Sequence, residues 1–371
     1  RRNGERRYNR IGPTMIQGCY FMLALAVVLF TASQYFSPII LRDIIESPQV
    51  YDATADYLHW RTYGIFFSFL CVMFRAYYVG ITQTKILTIN SVVMLLSNVV
   101  LNYCLIFGKG GFPVMGIAGA AIASSVSEAV SLLFFIIYTG TTADKRKYGF
   151  RRAFTFRPHL LKGMLSISGW TMVQSFISVS IWFIFFLAIE HLGERPLAVT
   201  NIVRNISALL IMVISAFATT AGALISNQIG AGEQRYLFRT CGMTLNLTYA
   251  ILVPLLVILC LFPEPVLRVF TDNPSLIAAS INSVYVMSTS TLIMAPAFIL
   301  FNAVSGTGNT KAGFIMEMIS LTVYTAAVYY IVIRLKPDVA LCWFSEHVYG
   351  IALIALAWWY LKSGKWRGKK V

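Results

Sequence analysis

The chain has 371 residues, of which 57% are hydrophobic and only 12% charged, and its mean hydropathy is +0.70. A soluble domain carries about 25% charged residues, so the composition excludes a soluble enzyme, a disordered tail protein and a secreted disulfide scaffold, and leaves an integral membrane protein. The net charge of +15 does not indicate nucleic acid, because the basic residues fill gaps between apolar runs instead of forming one solvated face.

About 20 apolar residues cross the hydrocarbon core as a helix. In chain order, the segments that meet this length are 14–36, 60–79, 86–107, 114–138, 166–189, 198–226, 240–262, 280–304, 312–333 and 338–361. All are expected to be helices, since backbone polar groups in lipid must be satisfied within the segment and these runs are too long for barrel strands. Arg1, Arg2, Arg6, Arg7 and Arg10 precede the first segment, and Asp43, Glu46, Asp52 and Asp56 follow it. Cationic residues then crowd every second gap: Lys85, the stretch 139–165 with Lys145, Arg146, Lys147, Arg151, Arg152, Arg157 and Lys162, then Arg235 and Arg239, Lys311, and a tail with Lys362, Lys365, Arg367, Lys369 and Lys370. Positive residues stay on the cytoplasmic side, so both chain ends and the stretch 139–165 are expected there, in a multi-pass protein of the cell (inner) membrane. The six cysteines lie in or beside apolar runs without paired spacing and read as packing residues.

The chain repeats itself. Ile40-Leu41-Arg42 with Glu46-Ser47-Pro48 recurs 226 residues later as Val266-Leu267-Arg268 with Asp272-Asn273-Pro274. Gly80 through Lys85 recurs at the same offset as Gly306 through Lys311. Near that offset, Gly4-Glu5-Arg6-Arg7-Tyr8 matches Gly232-Glu233-Gln234-Arg235-Tyr236, and Ser127-Glu128-Ala129-Val130 matches Ser345-Glu346-His347-Val348. Two copies in one direction give a parallel repeat with its axis along the membrane normal. The second copy has two helices ahead of its Gly-Glu motif and the first has none, so about 65 residues and two helices are expected to precede Arg1 in a 6 + 6 parent. The division expected is 1–138 as an N-terminal lobe, 139–165 as a basic linker and 166–371 as a C-terminal lobe. Gly80 and Gly306 read as turn residues at helix ends.

Leu101-Asn102, Leu105-Ile106-Phe107-Gly108, Gly111-Phe112-Pro113 and the small-residue run from Gly116 to Ala123 resemble the fifth-to-sixth-helix signature of the multidrug and toxic compound extrusion (MATE) transporters. Asn227-Gln228-Ile229-Gly230-Ala231-Gly232 resembles that family's motif after the eighth helix. The resemblance implies an all-α, twelve-helix, two-lobed antiporter, of which ten helices are present here. It implies export of cationic amphiphilic drugs against inward Na+ or H+ by alternating access. It also implies no resident cofactor or metal and no nucleic acid, with small-molecule cationic or amphiphilic drugs and the lipid bilayer as partners; a monomer is expected.

Most acids lie in gaps or at helix ends, but Glu128, Glu317 and Glu346 fall within spans. A carboxylate in lipid costs several kcal/mol unless it is paired or neutralised, so its charge state is expected to answer to an arriving cation or proton. The family's coupling glutamate of the seventh helix falls on Ser178 here, and no acid occurs between Asp272 and Glu317. Glu317 and Glu346 are the expected substitutes, with Glu128 a third ion-coupling candidate. The bland alternative is a carboxyl paired with Arg61, Arg75 or Arg204. A substrate path between the lobes is expected to combine aromatic and polar groups, and Gln174, Ser178, Trp182, Asn201 and Asn205 are the candidates on the entry helices of the C-terminal lobe.

A flippase for lipid-linked oligosaccharides shares this architecture but would need several Arg or Lys for a diphosphate, and few lie inside the spans. A membrane enzyme would need a clustered set of nucleophile and base, which the scattered His59, His159, His191 and His347 do not supply. An ATP-driven pump would need a GxxxxGK[ST] loop, which the sequence lacks.

Overall fold

The computed structural model describes residues 1–45, 47–150 and 153–368. Glu46, Arg151, Arg152, Lys369 and Lys370 of the charge pattern therefore lie outside the described residues. The described chain is helical, without strands: α1 (Ile11–Ile44), α2 (Pro48–Gly80), α3 (Lys85–Phe107), α4 (Gly116–Thr142), α5 (Pro158–Glu190), α6 (Glu194–Gly230), α7 (Leu237–Leu261), α8 (Pro263–Arg268), α9 (Pro274–Gly306), α10 (Thr310–Val328), α11 (Val339–Cys342) and α12 (Phe344–Ser363). Ten helical stretches are long and apolar enough to cross a membrane, one for each segment expected from hydropathy. They overrun those segments at the ends, because hydropathy marks the lipid-immersed turns while the helix continues into polar ones; α2 starts at Pro48, twelve residues before the apolar run at 60. Two spans are irregular. Residues Tyr329–Leu335 continue α10 as a π-helix, and the last span is broken between α11 and α12.

The repeat is visible in the elements. A short 3₁₀ turn, Tyr8–Arg10 or Gln234–Tyr236, leads into α1 or α7. Each copy then has a helix of 33 residues with proline at its first position, Pro48 in α2 and Pro274 in α9, ending on Gly80 or Gly306. Proline suits that position because its missing N–H would have had no helical partner. The copies differ ahead of this helix. Ile40–Arg42 lie in the last turns of the continuous α1, whereas the chain breaks after Leu261, and Val266–Arg268 lie in the separate α8 that starts at Pro263.

Contacts divide the chain into two compact units, one of Arg2 and Arg6–Met164, the other of Leu165–Val371 with Arg1 and Asn3–Glu5. In the first, α2 packs against α1 and α4, and α3 against α4. Helices in lipid associate through close packing, which small residues allow. At Gly119 a Cβ would lie 2.7 Å from the Leu105 carbonyl oxygen, and Ala121 and Ala123 are fully buried, so the small-residue run is the seam between α3 and α4. Asn90 and Ser131, both fully buried, exchange hydrogen bonds of 2.8 and 3.1 Å across it. The basic stretch is not free chain: its ends belong to α4 and α5, and its middle is tied to α1. The Nε2 of buried Gln17 donates to Thr155 O and its Oε1 accepts the Arg157 N–H, each at 2.9 Å.

In the second unit α9 is the central helix, packed by α6, α7 and α12, around a core that includes Val203, Ile214, Val284 and Met287. A Cβ at Gly222 of α6 would lie 2.8 Å from Asn302 O, and one at Gly306 would run into the Gly222 carbonyl. Gly306 is therefore a helix-contact residue as well as the end of α9, which corrects its reading as a turn residue alone. At Gly80 a Cβ would meet nothing within 4 Å. All six cysteines are free, three of them buried.

Candidate ion-coupling and substrate site

Seven residues along a helix is two turns and three residues is one, so both spacings keep side chains on one face. On α10 the pair is Glu317 and Tyr324; on α12 it is Glu346 and Tyr349. The facing helices pair them crosswise. Tyr349 Oη donates to Glu317 Oε1 at 2.9 Å, and Tyr324 Oη donates to Glu346 Oε1 at 3.0 Å. The two rings meet edge to face with centroids 5.8 Å apart. Ser178 Oγ on α5, also 2.9 Å from Gln174 O, donates to Glu317 Oε1 at 2.9 Å. Glu317 is 3% exposed, and its Oε2 is buried without a hydrogen-bond partner. Among the described residues neither Glu317 nor Glu346 is in an ion pair.

A cavity of about 510 Å³ opens beside this pair, lined by Ser178, Trp182, Arg204, Met212, Met294, Phe298, Tyr324, Glu346 and Tyr349 among others. Its walls are aromatic, aliphatic and thioether groups. Its polar points are a carboxyl, three hydroxyl-bearing side chains of the pair and α5, the α6 serines Ser207 and Ser215, and one guanidinium. Arg204 lies 5.1 Å from the Phe186 ring centroid, and Trp182 meets Phe186 edge-on at 4.9 Å. Such a chamber suits an amphiphile with an apolar body and few polar groups. Among the described residues no three His, Cys, Asp or Glu converge as metal ligands.

Of the residues expected from sequence, Glu317, Glu346, Ser178 and Trp182 come together here. Gln174 contributes its carbonyl to Ser178 and does not line the cavity, and Asn201 and Asn205 do not line it either. On α6 the lining side chains are Arg204, Ser207, Ala208, Ile211, Met212 and Ser215, a stripe of helical period that passes Asn201 and Asn205 by. Glu128 belongs to the other unit and is held by Arg61 in a two-pronged pair, Nη2 to Oε1 at 2.6 Å and Nη1 to Oε2 at 2.9 Å. A Cβ at Gly64 would run into both partners. The alternative of a structural carboxyl–arginine pair thus applies to Glu128 and to neither of the others. Sequence reasoning missed Tyr324, Tyr349 and the cavity position of Arg204. The seven- and three-residue spacings from the two glutamates were the available signal.

Ten apolar helices in two units, with a carboxyl-bearing cavity inside one of them, define a multi-pass helical membrane protein. The family model described as MatE matches residues 1–104 and 171–331. The chain belongs to that family, the MATE transporters. It is 26% identical over 286 residues to the probable multidrug resistance protein NorM of Thermotoga maritima, covering 74% of this chain and 59% of that protein. The chain spans about three fifths of the length of the curated relatives it matches. Its fold is similar to the outward-facing conformation of a multidrug resistance MATE family transporter of the MOP superfamily, with TM-score 0.88, 16% identity, and coverage of 98% of this chain and 80% of that one. It is also similar to a MOP superfamily transporter from Pyrococcus furiosus, with TM-score 0.86, 17% identity and coverage of 98% and 81%. The latter is described as having a binding pocket of reversed polarity that suggests a different function.

Proposed function

We propose that this protein exports cationic amphiphilic drugs by secondary active antiport, with Glu317 and Glu346 as the coupling carboxyls and the α5–α6–α9–α10–α12 cavity as part of the substrate path. The observation that carries the reading is the crossed carboxyl–tyrosine pair at the edge of an apolar cavity. A carboxyl held only by hydroxyl donors, with one oxygen buried and unpartnered, can take up and release a cation without first breaking an ion pair. The multidrug names of the relatives support the cargo class. The multi-pass helices and the basic chain ends support an inner-membrane location with cytoplasmic termini.

The coupling ion proposed is the proton. Glu317 Oε1 already accepts from two hydroxyls, and its Oε2 offers a site for one small charge, whereas a metal cation would require several oxygens to turn toward it. Glu128 has no part in this pathway, since its charge is already matched by Arg61. A lipid-linked oligosaccharide cargo is not supported, because among the described residues Arg204 is the one cationic side chain on the cavity wall. In the full-length protein reconstituted in vesicles, Glu317→Gln is expected to abolish ion-driven drug efflux while leaving the protein folded. Wild-type efflux by that variant would remove Glu317 from the mechanism.

A further inference from the structure

The first unit holds a second cavity, of about 520 Å³, which the transport reading does not use. It is lined by Met15 of α1, Phe74 of α2, Ile136 of α4, and Phe150 and Phe154 between α4 and α5. The Phe154 end of this lining is tied to α1. Tyr20 Oη donates to Phe154 O at 2.8 Å, and Thr155 and Arg157, one and three residues further on, are tied to the buried Gln17. Thr139 lines the cavity, but its hydroxyl is engaged with Tyr78 Oη at 2.7 Å. The interior is therefore apolar in effect.

Lys145 stands at the rim, exposed, and among the described residues it is in no ion pair. Its sequence neighbours are engaged elsewhere. The Asp144 carboxylate accepts the N–H groups of Arg146 and Lys147, each at 3.0 Å. The Lys147 ammonium lies 4.5 Å from the Tyr8 ring centroid and 5.4 Å from that of Tyr148. Phe154, 68% exposed, places an aromatic ring at the same rim, the position aromatic side chains take at a membrane–water boundary. The cavity thus sits where the spans end and the cationic residues gather, which is where anionic headgroups are drawn.

We propose that this cavity is a binding site for an anionic phospholipid, one acyl chain entering between α1, α2 and α4 and the phosphate taken by Lys145. Apolar walls exclude a free anion from the interior. A cationic amphiphile would meet like charge at the mouth, and a zwitterionic lipid would bring its own ammonium to a lysine that needs an anion. An anionic lipid satisfies both the walls and the rim.

The test uses the full-length protein in mixed micelles containing equal phosphatidylglycerol and phosphatidylcholine, with retained lipids counted by native mass spectrometry. The wild type is expected to retain phosphatidylglycerol preferentially. Lys145→Ala, a change at an exposed side chain, is expected to lower that retention about tenfold. Gly140→Trp is expected to do the same by filling the cavity: Gly140 lines it, and a Cβ there would meet nothing within 4 Å. Gly140→Leu serves if the tryptophan variant does not fold. Equal retention of the two lipids by the wild type overturns the proposal, as does unchanged phosphatidylglycerol retention in Lys145→Ala. Loss in Lys145→Ala with full retention in the cavity-filled variant also overturns it, since the lysine would then act on the surface alone.

Discussion

Glu128 and Glu346 occupy matching places in the repeat, each after a serine on the last long helix of its copy, yet they have different surroundings. The position 226 residues on from Arg61 is Met287, fully buried in the core of the second unit. Where the first unit pairs its carboxyl with a guanidinium, the second has a core thioether at the matching position, and Glu346 accepts from the Tyr324 hydroxyl. The two carboxyls thus differ in partner: Glu128 stands in a matched ion pair, and Glu346, among the described residues, stands in none. The Arg61–Glu128 pair is partly exposed, with side chains 32% and 16% accessible, so its worth lies between that of a surface pair and a buried one. Arg61→Met in the full-length protein is expected to lower unfolding stability by about 2 kcal/mol, measured by thermal or denaturant unfolding in detergent. Adding Glu128→Gln to it should restore part of the loss, because the uncompensated charge is then gone. An unchanged midpoint in Arg61→Met would show that the pair carries no structural weight.

At the scale of elements, α2 and α9 share length, starting proline and terminal glycine, but they close differently. Gly306 backs onto Gly222 of α6, whereas Gly80 faces open space. A methyl group at 306 has to push α6 and α9 apart, and overpacking of this kind costs about 1–3 kcal/mol. Gly306→Ala is therefore expected to reduce stability by that amount, and Gly80→Ala to be tolerated within about 0.5 kcal/mol. Equal effects of the two substitutions would contradict the contact. The α4–α5 segment likewise depends on its neighbours in α1. Its charge marks it as membrane-boundary chain, but Gln17 and Tyr20, two polar residues in an apolar run, help tie it to α1.

For the whole molecule, the coupling proposal predicts how the gradient is used. With the full-length protein in vesicles, a pH difference imposed without Na+ is expected to drive accumulation of a cationic fluorescent drug, and a Na+ gradient at constant pH is not. The reverse result would assign the oxygens around Glu317 to a metal cation and refute proton exchange while leaving drug efflux intact. Ten spans, the repeat and the alternation of charge were legible in the sequence, because lipid imposes its length and polarity on each segment separately. That constraint needs no knowledge of neighbours. The presence of carboxyls at Glu128, Glu317 and Glu346 within spans was legible for the same reason. Their partners were not. Whether a buried charge is matched by a guanidinium 67 residues away, as at Glu128, or held by a tyrosine on a facing helix, as at Glu317 and Glu346, depends on which helix faces meet. Packing of helices that look equally apolar along their length decides that, so only the tertiary structure could separate the ion pair from the carboxyls poised beside a cavity.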